Sequence, residues 1–216
     1  MPCSSDRRQD ILEVNWDSKV RTLVALFQFI AFSAFAQPIF KKSNLKEPDV
    51  LHLKTVGKVA LPQTGFRVYI SLSEVCMLSR YYARVFEKMR HRFPEMTWIG
   101  VFPNPFSNDS TIKLFASRNN LKFTFCRDSL AIFSKSVDWT VTPEALVLGP
   151  ENSILFKGRI DDFYVAIGRH KTKTSQHFLQ TALASIQKGQ APEKPFVPPL
   201  GCIIDFRLWD PDLKSE

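Results

Sequence analysis

Alternation of apolar and polar positions is clearest at 66–72 (FRVYISL), where β-branched and aromatic residues recur with a period of two and predict a strand. Ser73-Glu74 then gives a helix-start signal. Over 76–93, Tyr82, Val85, Phe86 and Met89 fall at helical spacing between Arg80, Arg84, Lys88 and Arg92, which predicts an amphipathic helix. A second strand is expected at 96–102 (MTWIGVF), stopped by Pro103, Asn104 and Pro105. Asp109 or Ser110 can cap a helix running to about Asn119, followed by a short strand at 121–125 and a short helix at 130–136. The apolar runs 145–148 and 154–157 flank Gly149-Pro150-Glu151-Asn152-Ser153, a hairpin by its turn residues. Phe178, Leu179, Leu183 and Ile186 mark one face of a helix over 174–188. Ahead of all this, 50–53 and 58–61 are candidate strands. After Gly189 the chain carries Pro192, Pro195, Pro198 and Pro199, predicting an extended tail wrapped over the surface and ending in Gly201-Cys202-Ile203-Ile204.

Strands that alternate with helices predict an α/β protein: a central, largely parallel sheet, closed by an antiparallel pair, with helices on both faces. The 216 residues fit one domain with appendages, and the 19 Phe demand a substantial core. At the N-terminus, Lys19 and Arg21 precede the apolar run 23–36, which closes on Ala34-Phe35-Ala36. That is the n-region, h-region and cleavage site of a secretory signal peptide over 1–36; left uncleaved it would be a membrane anchor. The expected organisation is therefore a signal peptide at 1–36, a lead-in at 37–64, the α/β domain at 65–190 and a Pro-rich tail at 191–216. An exported, periplasmic or extracellular location follows, and with it an oxidising compartment.

The net charge of +8 changes this picture little, because the basic residues are scattered and no nucleic-acid recognition motif accompanies them. The four cysteines matter more: too few for a disulfide scaffold, each is a candidate for chemistry. Cys76 stands where a central strand hands over to a helix, where free backbone N–H groups and the helix dipole stabilise a thiolate. Ser79, one turn on, can donate to its sulfur. Pro143 opens the strand at 145–148 without a ladder donor, a position that needs a reason. Asp161-Asp162 is expected to cap a loop or pair with Arg159. His52, His91, His170 and His177 show no spacing with cysteine that indicates zinc, so no metal site is assigned.

A strand–Cys–helix followed later by Thr142-Pro143 resembles the thioredoxin superfamily. The segments Thr142-Pro143-Glu144-Ala145-Leu146-Val147-Leu148 and Gly158-Arg159-Ile160-Asp161-Asp162, with the terminal Gly201-Cys202, are similar to exported redoxins of the alkyl-hydroperoxide-reductase/thiol-specific-antioxidant type. The likeness runs over roughly residues 60–204. It implies a thioredoxin-like fold with a cis Pro143 beside the nucleophile Cys76 and with Thr142 offering its backbone to a substrate strand. The pattern also departs from the family. Ser79 fills the resolving position of Cys-x-x-Cys, and where peroxiredoxins have proline and a hydroxyl ahead of their cysteine, Tyr69 and Ser73 stand here. A resolving thiol must then come from elsewhere. Cys202 in the tail is one candidate and Cys126, at the end of the third strand, is the other.

The expected function is thiol-dependent oxidoreduction with Cys76 as attacking thiolate, Cys202 or an external thiol releasing it, and Ser79, Ser73, Thr142 and Pro143 shaping the site. The substrate is a protein or small-molecule disulfide, or a peroxide. The reductant is an external thiol, no bound cofactor is required, and neither nucleic acid nor, after cleavage at 36, a membrane is a partner. A thioredoxin-like binding or assembly module that has lost turnover is the alternative.

Overall fold

A computed structural model describes residues 53–57, 61–62 and 64–209. The segment expected to be a signal peptide (1–36), the strands expected at 50–53 (apart from Leu53) and 58–61 (apart from Leu61) and most of the lead-in lie outside the described residues. In chain order the elements are β1 (Lys54–Thr55), β2 (Arg67–Ser71), α1 (Met77–Arg92), β3 (Thr97–Phe102), α2 (Asp109–Arg118), β4 (Thr124–Arg127), α3 (Ile132–Ser136), β5 (Val141–Thr142) and β6 (Ala145–Leu148). They continue with β7 (Ile154–Gly158), β8 (Tyr164–Ala166), β9 (Arg169–His170), α4 (Phe178–Gln187), β10 (Phe196–Val197), β11 (Cys202–Ile203) and a 3-10 turn at Phe206–Trp209.

Seven strands form the central sheet in the order β1-β4-β3-β2-β6-β7-β10. β2, β3 and β4 run parallel, joined by the crossover helices α1 and α2, while β6 and β7 form the antiparallel hairpin. All five residues of β2 are buried, as expected of a strand covered on both faces. Period-two alternation then divides its side chains. Val68 and Ile70 join Phe86, Met89, Phe115, Leu179, Leu183 and Ile186, so α1, α2 and α4 cover one face. Tyr69, Ile99, Val101, Leu146 and Leu148 join Phe133, Trp139 and Ile204 on the other, under α3 and the C-terminal tail. The fold is α/β with a mixed central sheet and helices on both faces.

Several boundaries differ from the sequence pattern for physical reasons. β4 begins at Thr124 rather than 121, because Leu121 and Phe123 are buried as core-filling loop residues and the ladder with β3 starts only at Ile99 and Thr124. Helix α2 is capped by Asn108, not Asp109 or Ser110. Its side chain accepts from Ser110 N and Thr111 N, and Thr111 Oγ1 accepts from Asn108 N in return. Helix α4 begins at Phe178 rather than 174, because the N–H groups of Ser175 and Gln176 both donate to the Asp162 carboxylate. Asp162 also takes Lys171 Nζ and Ser175 Oγ, and Asp161 takes Tyr82 Oη at 2.6 Å and Phe163 N. The acidic pair thus staples a loop, and the partner is Lys171 rather than Arg159. The β8–β9 hairpin and the short strands β1, β5, β10 and β11 have no counterpart in the sequence pattern.

Candidate functional site

The end of β2 and the start of α1 make the first half of the site. Cys76 is the N-cap of α1, with extended backbone (φ −78°, ψ 120°) and no acidic residue in the turn that follows. Its carbonyl accepts from Arg80 N and its N–H donates to Ser73 O. Ser79, fully buried, accepts from Ser73 N at 3.1 Å through its Oγ, so its hydroxyl closes the turn that carries Cys76. Helix α1 is 16 residues long and its amino end lies at Cys76, which favours negative charge on that sulfur once it is released. Cys76 itself is 3% exposed, while its neighbours Val75 and Met77 are 88% and 55% exposed.

The second half is the Thr142–Pro143 segment, whose peptide bond is cis. The Thr142 carbonyl oxygen lies 3.2 Å from Cys76 Sγ. Ser71, which sequence reasoning passed over, holds this segment in place. Its Oγ donates to Val141 O at 2.8 Å and accepts from Glu144 N at 2.8 Å, and its N–H donates to Glu144 O. One buried hydroxyl on the last residue of β2 therefore satisfies backbone groups on both sides of Pro143. The available signal was a serine directly after the buried run Val68-Tyr69-Ile70.

The third part is the tail. Residues Cys202–Ile203 pair antiparallel with β5, setting Cys202 opposite Thr142 and Ile203 opposite Val141, and Ile204 N donates to Thr140 O at 2.9 Å. In this register Cys76 and Cys202 form a disulfide across 126 residues of sequence, with a Cα–Cα distance of 6.3 Å. Of the two candidate partners, Cys202 is the one bonded to Cys76. Cys126 is a free thiol, fully buried in the apolar cluster on the opposite face, where burial pushes it up to about 12. The tail is held beyond the disulfide as well: Ile204 is buried among the aromatic residues of that face, and Trp209 Nε1 donates to Ser129 O.

Of the residues singled out from the sequence, Cys76, Cys202, Thr142, Pro143, Ser73 and Ser79 lie within this one constellation. Tyr69 does not: its ring packs on Phe133 at 5.2 Å in the opposite cluster, and burial pushes its phenol up to about 12. Glu144 is a second residue whose chemistry was not read from the sequence. Its side chain is 0% exposed, and burial raises its carboxyl to about 7 against the pull of Lys157, whose Nζ is 3.7 Å away. No cofactor site is assigned.

A crossover-linked parallel trio, an antiparallel hairpin and a cis proline facing a cysteine at a helix start together define a thioredoxin-like fold. No protein-family model matches the sequence, and no curated protein matches it. Solved structures do resemble it. A hypothetical protein of Sinorhizobium meliloti is 16% identical with a TM-score of 0.60, over 70% of this chain and 88% of that one. An uncharacterized conserved protein of Geobacillus kaustophilus is 14% identical with a TM-score of 0.60, over 78% of this chain and 92% of that one. At such identities these likenesses are of fold alone. A secreted Mycobacterium tuberculosis disulfide oxidoreductase overlaps less, with 15% identity and a TM-score of 0.41 over 47% of this chain and 78% of that one.

Proposed function

We propose that the protein is a thiol–disulfide oxidoreductase whose redox couple is Cys76 and Cys202. One observation carries this reading: Cys202 is bonded to Cys76 while pairing, backbone to backbone, with Thr142 beside Pro143. In the reduced chain the Cys76 thiolate attacks one sulfur of a substrate disulfide. A Cys76–substrate bond forms, and the other substrate sulfur leaves as a thiolate that takes up a proton. The Cys202 thiolate then attacks Cys76 Sγ, forming the internal disulfide and releasing the second substrate thiol. The substrate gains two electrons and two protons, and the chain is oxidised by the same amount. Two equivalents of an external thiol restore it.

The helix end at Cys76 favours its thiolate both as attacking and as leaving group. Ser79 and Ser71 are positioning residues, one holding the turn and the other the proline segment. Export is part of the same proposal: a protein-borne disulfide persists in oxidising compartments, and the apolar segment before position 36 has the form of a secretory leader. Among the described residues no helix is long and apolar enough to cross a membrane.

Second-order rates of the reduced chain with a peptide disulfide and with hydrogen peroxide test the assignment. Disulfide exchange is expected to be the faster reaction, ending in a Cys76–Cys202 bond. A faster reaction with peroxide, giving a sulfenic acid at Cys76, would make the protein a peroxidase instead.

A further inference from the structure

We propose that the C-terminal strand is a built-in occupant of the substrate edge, and that it shows the substrate's form: an extended polypeptide in which the disulfide cysteine is immediately preceded by glycine. This rests on the oxidoreductase reading above and adds to it a sequence rule for the substrate and a competing occupant.

β5 is only two residues long, and β11 takes its ladder edge. A substrate strand hydrogen-bonded to Thr142 and the tail therefore exclude one another. The tail occupies the edge as a substrate would, backbone on backbone with a cysteine sulfur delivered to Cys76, which is the recognition mode of strand addition. The register then assigns a preference to each position. At the residue before the cysteine, Gly201, an added Cβ would overlap the Thr142 carbonyl oxygen and lie 2.7 Å from its carbon and 3.1 Å from Pro143 N. These are backbone atoms, held by the Ser71 hydrogen bonds on either side of the proline, so they cannot move aside as a flexible side chain would. Any residue but glycine must lift the strand away from Thr142. At the residue after the cysteine, Ile203 is 83% exposed, so that position is unconstrained. One residue further, Ile204 is buried in the cluster that holds Phe133 and Trp139, so an apolar side chain is favoured there.

The occupant also gates the site. Because the tail is anchored by Ile204 and Trp209, its effective concentration at β5 is set by a short tether, on the order of millimolar or higher. A substrate must outcompete it, and the Cys76–Cys202 bond closes the edge until a reductant opens it.

The test uses the full chain carrying Cys202→Ser, which keeps Cys76 and frees it from the internal bond. Two peptides are compared, the chain's own Pro-Leu-Gly-Cys-Ile-Ile and the same peptide with alanine for glycine. Each carries 5-thio-2-nitrobenzoate in disulfide linkage to its cysteine. Attack by Cys76 on the peptide sulfur forms the Cys76–peptide disulfide and expels the coloured thiolate, whose release gives the rate. The glycine peptide is expected to react at least ~10-fold faster. In the otherwise unaltered chain, Gly201→Ala is expected to shift the Cys76–Cys202 equilibrium against glutathione toward the reduced form, also at least ~10-fold. Equal rates for the two peptides, or failure of both while the parent reagent 5,5′-dithiobis(2-nitrobenzoate) still labels Cys76, overturn the substrate rule and leave the oxidoreductase reading standing. A Cys76 inert to all three reagents overturns both.

Discussion

Cys76 and Cys126 are both buried, and both belong to the same sheet assembly, yet one is joined to a partner and the other is a free thiol. What separates them is their surroundings. Cys126 lies within a strand, opposite Val101 and Thr55, and its side chain joins an apolar cluster. Burial there disfavours the thiolate and nothing compensates. Cys76 stands one step beyond a strand, at a helix N-terminus, facing a carbonyl and a strand edge that delivers a second sulfur. On the proposed function, reactivity comes from the hand-over between elements, not from exposure of the sulfur.

The largest expected effect sharpens that contrast. Cys76→Ser should abolish disulfide-dependent turnover, while Cys126→Ser should leave it within about twofold, because a buried strand thiol contributes only packing. Assaying both variants with a peptide disulfide and dithiothreitol checks the pair. Cys202→Ser should fall between them, keeping the first attack and accumulating a Cys76–substrate mixed disulfide visible by mass.

Reducing the Cys76–Cys202 bond comes next. A cross-link closing a loop of 126 residues restrains the unfolded chain, and its loss should lower stability by about 2–5 kcal/mol in denaturant titrations. Cys126→Ser should respond to reductant as the unaltered chain does.

Ser71→Ala should cost about 1–3 kcal/mol, since it leaves Glu144 N and Val141 O without their buried partner. It should also slow Cys76–Cys202 formation, because the proline segment loses its anchor. A serine-to-alanine change that altered stability alone would reduce Ser71 to a packing role.

Last comes a pH dependence. The carboxyl of Glu144 is raised by burial from its ordinary 4.5 to about 7, so between those values the folded chain binds a proton that the unfolded chain does not. Stability is therefore highest below about 4.5 from this group and falls as pH rises toward 7. Glu144→Gln should flatten the melting temperature across that window.

The central β2–α1–β3 unit and the β6–β7 hairpin were legible in the sequence because their own side-chain periods are strong. The cysteine at the helix start was legible as a residue at the end of a readable element, whereas the roles of Thr142 and Pro143 came from the resemblance to the thioredoxin superfamily. What the sequence hid depends on partners far along the chain. β11 exists because Thr142 offers an edge, and nothing in Cys202-Ile203 alone says strand. Ser71 looks like one polar residue in an apolar run until its hydroxyl is found bridging Val141 and Glu144. The late start of α4 is set by Asp162, whose carboxylate takes the N–H groups the first turn would have used. Short strands and side-chain staples are tertiary facts, and local periodicity carries no trace of them.

The most direct measurement takes the fully reduced, unaltered chain, exposes it briefly to a peptide disulfide, quenches by alkylation and maps every thiol by mass spectrometry. Cys76 and Cys202 are expected to disappear together into one disulfide with the substrate released as thiols, while Cys126 is alkylated only after unfolding. Cys76 and Cys202 both recovered as alkylated thiols beside unchanged substrate would contradict it.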